Sequence, residues 1–149
     1  MGTPTDAAAA AAPPIRTVAA VIRDPAGRVL LVRKRGSATF IQPGGKREPG
    51  EEALQTLARE LDEELGVVMQ AGGAYRLGEF EADAVNEPGR RVRGEAWVVR
   101  VEGVPQARAE IEELAWVVPR APFTVKVAPL SARHILPALH QALATGAVT

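Results

Sequence analysis

The sequence predicts an α/β sandwich with a mixed β-sheet, and three observations carry that prediction. Short apolar, β-branched segments separated by turn signals run through most of the chain. One strongly periodic helix lies near the middle and one amphipathic helix closes the C-terminal end. Strands packed with one central and one terminal helix are the pattern of helices layered on a sheet. At 149 residues the chain is long enough for one domain with a real core and too short for two comfortable ones.

The composition excludes several functions. Eighteen basic and eighteen acidic residues give a net charge of zero, so nothing draws the whole chain to nucleic acid or to an anionic membrane. The absence of cysteine excludes disulfides, thiolate metal sites and a thiol nucleophile. No apolar run approaches the roughly 18 residues needed to span a bilayer. Residues 1–14 hold the alanine run 7–12 but lack the positive start and long apolar stretch of a signal peptide. They are expected to be a disordered leader before a single domain over residues 15–149, with the cytoplasm as the default compartment.

Element by element, residues 16–23 are apolar and β-branched enough for a buried strand. Asp24-Pro25-Ala26-Gly27 is a turn, because proline presets φ and glycine supplies the permissive end. Residues 28–34 form a second strand, and the two are expected to make a hairpin. Residues 35–42 read as a loop ending in a short strand, followed by Pro43-Gly44-Gly45 and a polar stretch to Gly50. Residues 51–65 are the clearest helix: Leu54, Leu57, Ala58, Leu61 and Leu65 recur at helical spacing, and Gly66 stands where a C-terminal cap belongs. Strands over residues 74–81 and 92–102 follow, joined by the turn-rich residues 85–90, and residues 114–118 make a last short strand. The closing helix, residues 130–144, contains Pro137, which predicts a break with Pro137 restarting the second half at its first turn.

The chemistry concentrates in a glycine-rich loop that runs into the central helix. Glu60, Glu63 and Glu64 stand at i, i+3 and i+4 and so lie within an arc of about 100°. The leucines occupy the adjoining arc, so one side anchors the helix while its neighbour gathers three carboxylates. Like charges at this spacing destabilise a helix by some tenths of a kcal/mol. A hard divalent cation bound through oxygens is the natural offset.

Glutamates on one helix face are ordinarily just a solvated face. The joint pattern says otherwise. Gly45, Glu51, Arg59, Glu60, Leu61, Glu63, Glu64, Gly66 and Val67 match every defined position of G-x5-E-x7-R-E-U-x-E-E-x-G-U, with U aliphatic. Chance would supply such a match at roughly one start in 10⁹ or fewer. The chain thus resembles the Nudix hydrolases. The resemblance covers about residues 15–144 and is specific over residues 43–67.

The resemblance implies a Nudix-type α/β/α sandwich with a mixed sheet, and Mg²⁺-dependent hydrolysis of a diphosphate in a nucleoside diphosphate linked to a group X. Mn²⁺ is the expected substitute metal. It makes Glu63 and Glu64 metal ligands, and Glu60 a ligand or the base that prepares water. Arg59 is expected to reach Glu63 at i+4 and hold the carboxylates in register. Glu51 secures the loop–helix junction, Gly45 and Gly66 are structural, and the Gly44 carbonyl completes the metal sphere. Relatives add a carboxylate from a late loop; of Glu110, Glu112 and Glu113, spacing to Trp116 favours Glu110. Arg33, Arg35 and Lys46 are placed in sequence to stabilise charge on phosphoryl oxygens, and Gln42, which stands where mutator-type enzymes tend to carry an aromatic, is expected to bind substrate. A nucleoside triphosphate, oxidised or not, ranks first as substrate and a nucleotide-sugar such as ADP-ribose second; a non-catalytic nucleotide-binding regulator is the remaining alternative. The partner is a small nucleotide, with no nucleic acid and no membrane, and the chain is a monomer or homodimer.

Other motifs carry less. Gly44-Gly45-Lys46-Arg47 lacks the glycine spacing and the Ser/Thr of a P-loop. His134 and His140, six apart on the last helix, are expected to pack, as are Trp97 and Trp116 in their strands. Ser131, near the position of a base-reading Asn in the mutator-type enzymes, is expected to act as a local helix cap.

Overall fold

In a computed structural model, which describes residues 12–149, the chain forms nine strands and two α-helices. The strands are β1 (Ile15–Val21), β2 (Val29–Lys34), β3 (Phe40–Ile41), β4 (Gly44–Lys46), β5 (Val68–Met69), β6 (Tyr75–Asp83), β7 (Arg91–Val98), β8 (Val101–Glu102) and β9 (Ile111–Val117). The helices are α1 (Ala53–Leu65) and α2 (Leu136–Ala144), the latter preceded by a π-helical turn, Ser131–Ile135. Most of the leader expected over residues 1–14 lies outside the described residues.

The sheet is mixed, as expected. One sheet has the order β4-β1-β7-β6, with β1 parallel to β7 and every other pair antiparallel; a second has the order β3-β2-β9, and β5 pairs with β8. Strands β1 and β2 bury both faces. Val18, Ala20, Leu30 and Val32 point into the core under α1, while Ala19, Val21, Val29 and Leu31 point into a second core under α2. Burial on both faces is why these strands read as continuous apolar runs rather than alternating ones.

The expected β1–β2 hairpin is corrected. The turn is present: the Asp24 carboxylate accepts the amides of Ala26 and Arg28 at 3.0 and 2.8 Å, and Leu30 donates to the Ile22 carbonyl at 2.9 Å. Beyond that bond the strands part. Ile15–Val21 runs beside Val92–Val98, and β2 pairs with β3 and β9. The partner of a doubly buried strand is chosen by which sheet edges the whole chain brings alongside, and a local turn does not settle that.

Helix α1 starts two residues later than expected, because Glu51 is drawn into the loop network described below. The Gln55 side chain accepts the Glu52 amide at 2.8 Å, satisfying a donor at the helix start. Gly66 ends the helix in the left-handed conformation, φ 67°, its amide on the Asp62 carbonyl at 3.0 Å. Leu57, Leu61 and Leu65 are wholly buried, but Ala58 is exposed and Thr56 takes the buried place beside them. At the other end, the break at Pro137 is accommodated by the π-helical turn, in which Leu136 donates to the Ser131 carbonyl one residue further back than an α-helix would use. Trp97 and Trp116 pack against the core under α1, His134 stacks on Phe80 at 6.0 Å, and His140 Nε2 contacts the Pro119 carbonyl at 2.6 Å.

Candidate active site

Two glycines let the helix meet the sheet. A Cβ on Gly44, whose φ is 143°, would stand 2.0 Å from the Val18 carbonyl oxygen; one on Gly45 would stand 2.5 Å from the carboxyl carbon of Glu60. Bare backbone at β4 therefore allows Glu60 to lie directly on the strand. The Gly44 amide donates to Glu64 Oε1 at 3.2 Å.

Glu51 ties the loop to the helix. Its Oε1 accepts from the Glu48 amide, Thr56 Oγ1 and Arg59 NH2 at 2.9, 2.9 and 2.8 Å, and its Oε2 accepts from Arg59 Nε at 2.9 Å. The Arg59 guanidinium, helped by the Glu48 amide, holds the Glu51 carboxyl down at about 2. Arg59 also donates to Glu60 Oε1 at 2.7 Å and to the Lys46 carbonyl at 3.3 Å. The expected Arg59–Glu63 pairing is thus corrected: the guanidinium turns back toward the loop, where two carboxylates and a carbonyl outcompete one exposed glutamate.

The three carboxylates expected to act together sit at three depths. Glu64 is only 3% exposed, Glu60 is half-buried, and Glu63 faces solvent. Burial pushes Glu64 up to about 8, the Gly44 amide offsetting part of the rise; it also raises Glu60, against the pull of Arg59. Among the described residues Glu64 has no salt bridge, and no three His, Asp or Glu side chains form a ready-made metal cage. A buried carboxylate beside the negative charges of Glu60 and Glu110, without a bonded cation, is electrostatically incomplete. The carboxylates whose charge it feels, Glu60 and Glu110, are oxygen donors, a set that fits a hard divalent ion.

Glu60 and Glu110 border a cleft of about 580 Å³, whose lining does not include Glu63 or Glu64. Gly44, Gly45, Lys46, Glu60, Glu110 and Gln42 line it; Arg33 and Arg35 do not. Arg33 pairs with Glu113 at 3.1 Å and donates to the Ser37 carbonyl at 3.0 Å, while Arg35 pairs with Glu112 at 3.5 Å and reaches the Ala109 carbonyl at 3.2 Å. The basic residue of β2 that does line the cleft is Lys34, which sits 3.3 Å from Glu110. Alternation along a strand puts Lys34 on the face opposite Arg33. That parity was visible, but not which face would meet the cleft. The cleft also takes in residues 83–87, and Lys46 pairs there with Glu87 at 3.1 Å. Ser131 is not a cap: it makes no capping hydrogen bond, is 2% exposed, and forms part of the cleft wall.

A helix bearing carboxylates abuts a glycine strand at the cleft, with Lys34 and Lys46 in the same wall, and comparison with known proteins gives the family. The NUDIX domain family model matches residues 13–139, and the chain belongs to the Nudix hydrolase family. It is 35% identical over 122 residues to the CTP pyrophosphohydrolase of Escherichia coli, covering 77% of this chain and 84% of that one. It is 37% identical over 71 residues to the 8-oxo-dGTP diphosphatase of Haemophilus influenzae, 45% of this chain and about half, 52%, of that one. The solution structure of the E. coli ORF135 protein superposes with a TM-score of 0.71 at 32% identity, covering 88% of this chain and 91% of that one. Nudix hydrolases use divalent metal ions and act on small nucleotides.

Proposed function

We propose that this chain hydrolyses a diphosphate bond of a nucleoside triphosphate with Mg²⁺, for which Mn²⁺ substitutes, releasing a nucleoside monophosphate. The observation that carries the reading is Glu64, a buried carboxylate with no salt bridge among the described residues, on the same helix as Glu60, which lines a cleft of about 580 Å³. Both curated relatives bear the names of enzymes acting on nucleoside triphosphates, which supports this substrate class.

Glu60, Glu63, Glu64, the Gly44 carbonyl and Glu110 would hold the metal, which when bound neutralises phosphate charge and acidifies water. Arg59 keeps Glu60 pointed at β4 and locks the loop through Glu51. Lys34 and Lys46 supply positive charge at the cleft for phosphoryl oxygens. Burial raises the proton affinity of Glu60, which supports it as a metal ligand or as the base that takes a proton from attacking water. The helix supplies position and the strand supplies access.

The test is turnover of a broad nucleotide panel with and without Mg²⁺, with products identified. A monophosphate and pyrophosphate from a triphosphate support the reading. Release of inorganic phosphate alone, or no metal-dependent turnover of any nucleotide, overturns it.

A further inference from the structure

Pro43 decides what Gln42 can offer to a ligand. Strands β1 and β4 pair Ala19 with Gly44, and one step further the Ala20 amide donates to the Pro43 carbonyl at 2.8 Å. An antiparallel pair at such a position exchanges two bonds. Pro43 has no N–H with which to return the second. The side chain of Gln42 supplies it instead: Nε2 donates to the Ala20 carbonyl at 2.9 Å. The nitrogen is thereby committed, and turning the amide over would set Oε1 against a carbonyl oxygen. Gln42 therefore presents one polarity only.

Its Oε1 is buried and has no hydrogen-bond partner, in a residue that is 6% exposed and lines the cleft. Buried acceptors are almost always paired, so a bare one in a cleft wall calls for a donor from whatever the cleft binds. Ile41, Ala128 and Leu130 line the same cleft and provide apolar surface for the flat face of a base.

We infer that Gln42 Oε1 is a base-reading acceptor that selects nucleotides carrying the 4-amino group of cytosine or the 6-amino group of adenine over the keto counterparts uracil and hypoxanthine. The inference rests on the nucleotide-hydrolase reading above and deepens it. An amino group donates to the fixed oxygen. A keto oxygen in its place sets acceptor against acceptor, and a site built to pair with a donor rejects a ligand that lacks one at that position. A freely turning amide would accept either base. The proline removes that freedom.

The experiment measures kcat/KM for CTP against UTP and for ATP against ITP, with Mg²⁺ and the full chain, in the wild type and two variants. The expected wild-type preference for the amino base is at least about tenfold in one of the two pairs. The pair that shows it tells whether a pyrimidine or a purine is read. Gln42→Met removes the acceptor at similar volume and should bring that ratio close to one. Pro43→Ala is the second variant, for the case that Gln42→Met fails to fold. It returns a main-chain donor to Ala20, frees the amide to turn over, and should also bring the ratio toward one while turnover persists. Ratios within twofold of one in the wild type, a preference for the keto bases, or a ratio kept in every folded variant would overturn the inference. If no nucleotide is hydrolysed, the hydrolase reading fails instead. Equilibrium binding of CMP against UMP and AMP against IMP then decides the role of Gln42 without turnover, equal affinities counting against it.

Discussion

The main-chain amide of Arg108 donates to the carbonyl of Glu64 at 2.9 Å, pinning the loop that carries Glu110 to the helix that carries the carboxylates. Gln106 makes the neighbouring bond to the Leu65 carbonyl at 3.0 Å, and Arg35 closes the loop from the other side with 2.8 Å to the Glu110 carbonyl. The last carbonyls of α1 are thus capped by the segment that delivers a fourth carboxylate. A helix end and a distant loop become one rigid unit.

Gly66 is the joint of that unit, and Gly66→Ala tests it. Alanine would take φ 67° at a cost of about 1–2 kcal/mol, and its Cβ would fall 2.4 Å from the Arg108 guanidinium carbon. The flexible guanidinium can swing aside, so the variant should fold with a lowered melting temperature. Its requirement for Mg²⁺ should rise because the Glu110 loop is displaced. Unchanged melting and metal titration would refute the joint.

Glu64→Gln should abolish most metal-dependent turnover and also remove a pH effect. With its carboxyl pushed up to about 8, the folded, metal-free protein favours protonated Glu64 more than the unfolded chain does. The stability tied to this group is fully present below its ordinary value near 4.5 and is lost as pH rises to about 8. Melting of the metal-free wild type should therefore fall more steeply across that window than melting of Glu64→Gln. Mg²⁺ should restore the wild type at pH 8 and leave the variant unmoved. Parallel pH profiles for the two proteins would contradict this account.

Glu51 titrates in the opposite sense. Held down at about 2 by Arg59, it contributes stability above its ordinary value near 4.5 that is lost as pH falls toward 2. Glu51→Gln should melt below the wild type at pH 7, and the gap should narrow as pH drops through that range. A gap independent of pH would mean that packing, not charge, explains the residue.

Lys34 and Arg33 are adjacent in sequence and should differ in kinetics. Lys34→Ala should raise KM for a nucleoside triphosphate by roughly five- to tenfold, the order expected for one phosphate contact. Arg33→Ala, which breaks only the contacts to Glu113 and Ser37, should leave KM within about twofold. Equal effects from both would show that the cleft face of β2 is misassigned.

Helix α1, its glycine stop, its buried leucines and its arc of glutamates were all legible in the sequence. Each depends on residues within a turn or two of one another, where 3.6-residue periodicity and cap chemistry act directly. The break at Pro137 was legible for the same reason. Tertiary structure alone decided that β1 and β2 part into different sheets, that Lys34 rather than Arg33 meets the cleft, and that Arg59 turns toward Glu51. It also decided that Ser131 is wall rather than cap, and that Gln42 replaces the donor Pro43 lacks. In every one of these, the deciding partner lies far along the chain or competes with an equally plausible local one. Local spacing states which groups a residue can reach. Only the packed fold states which of them is there.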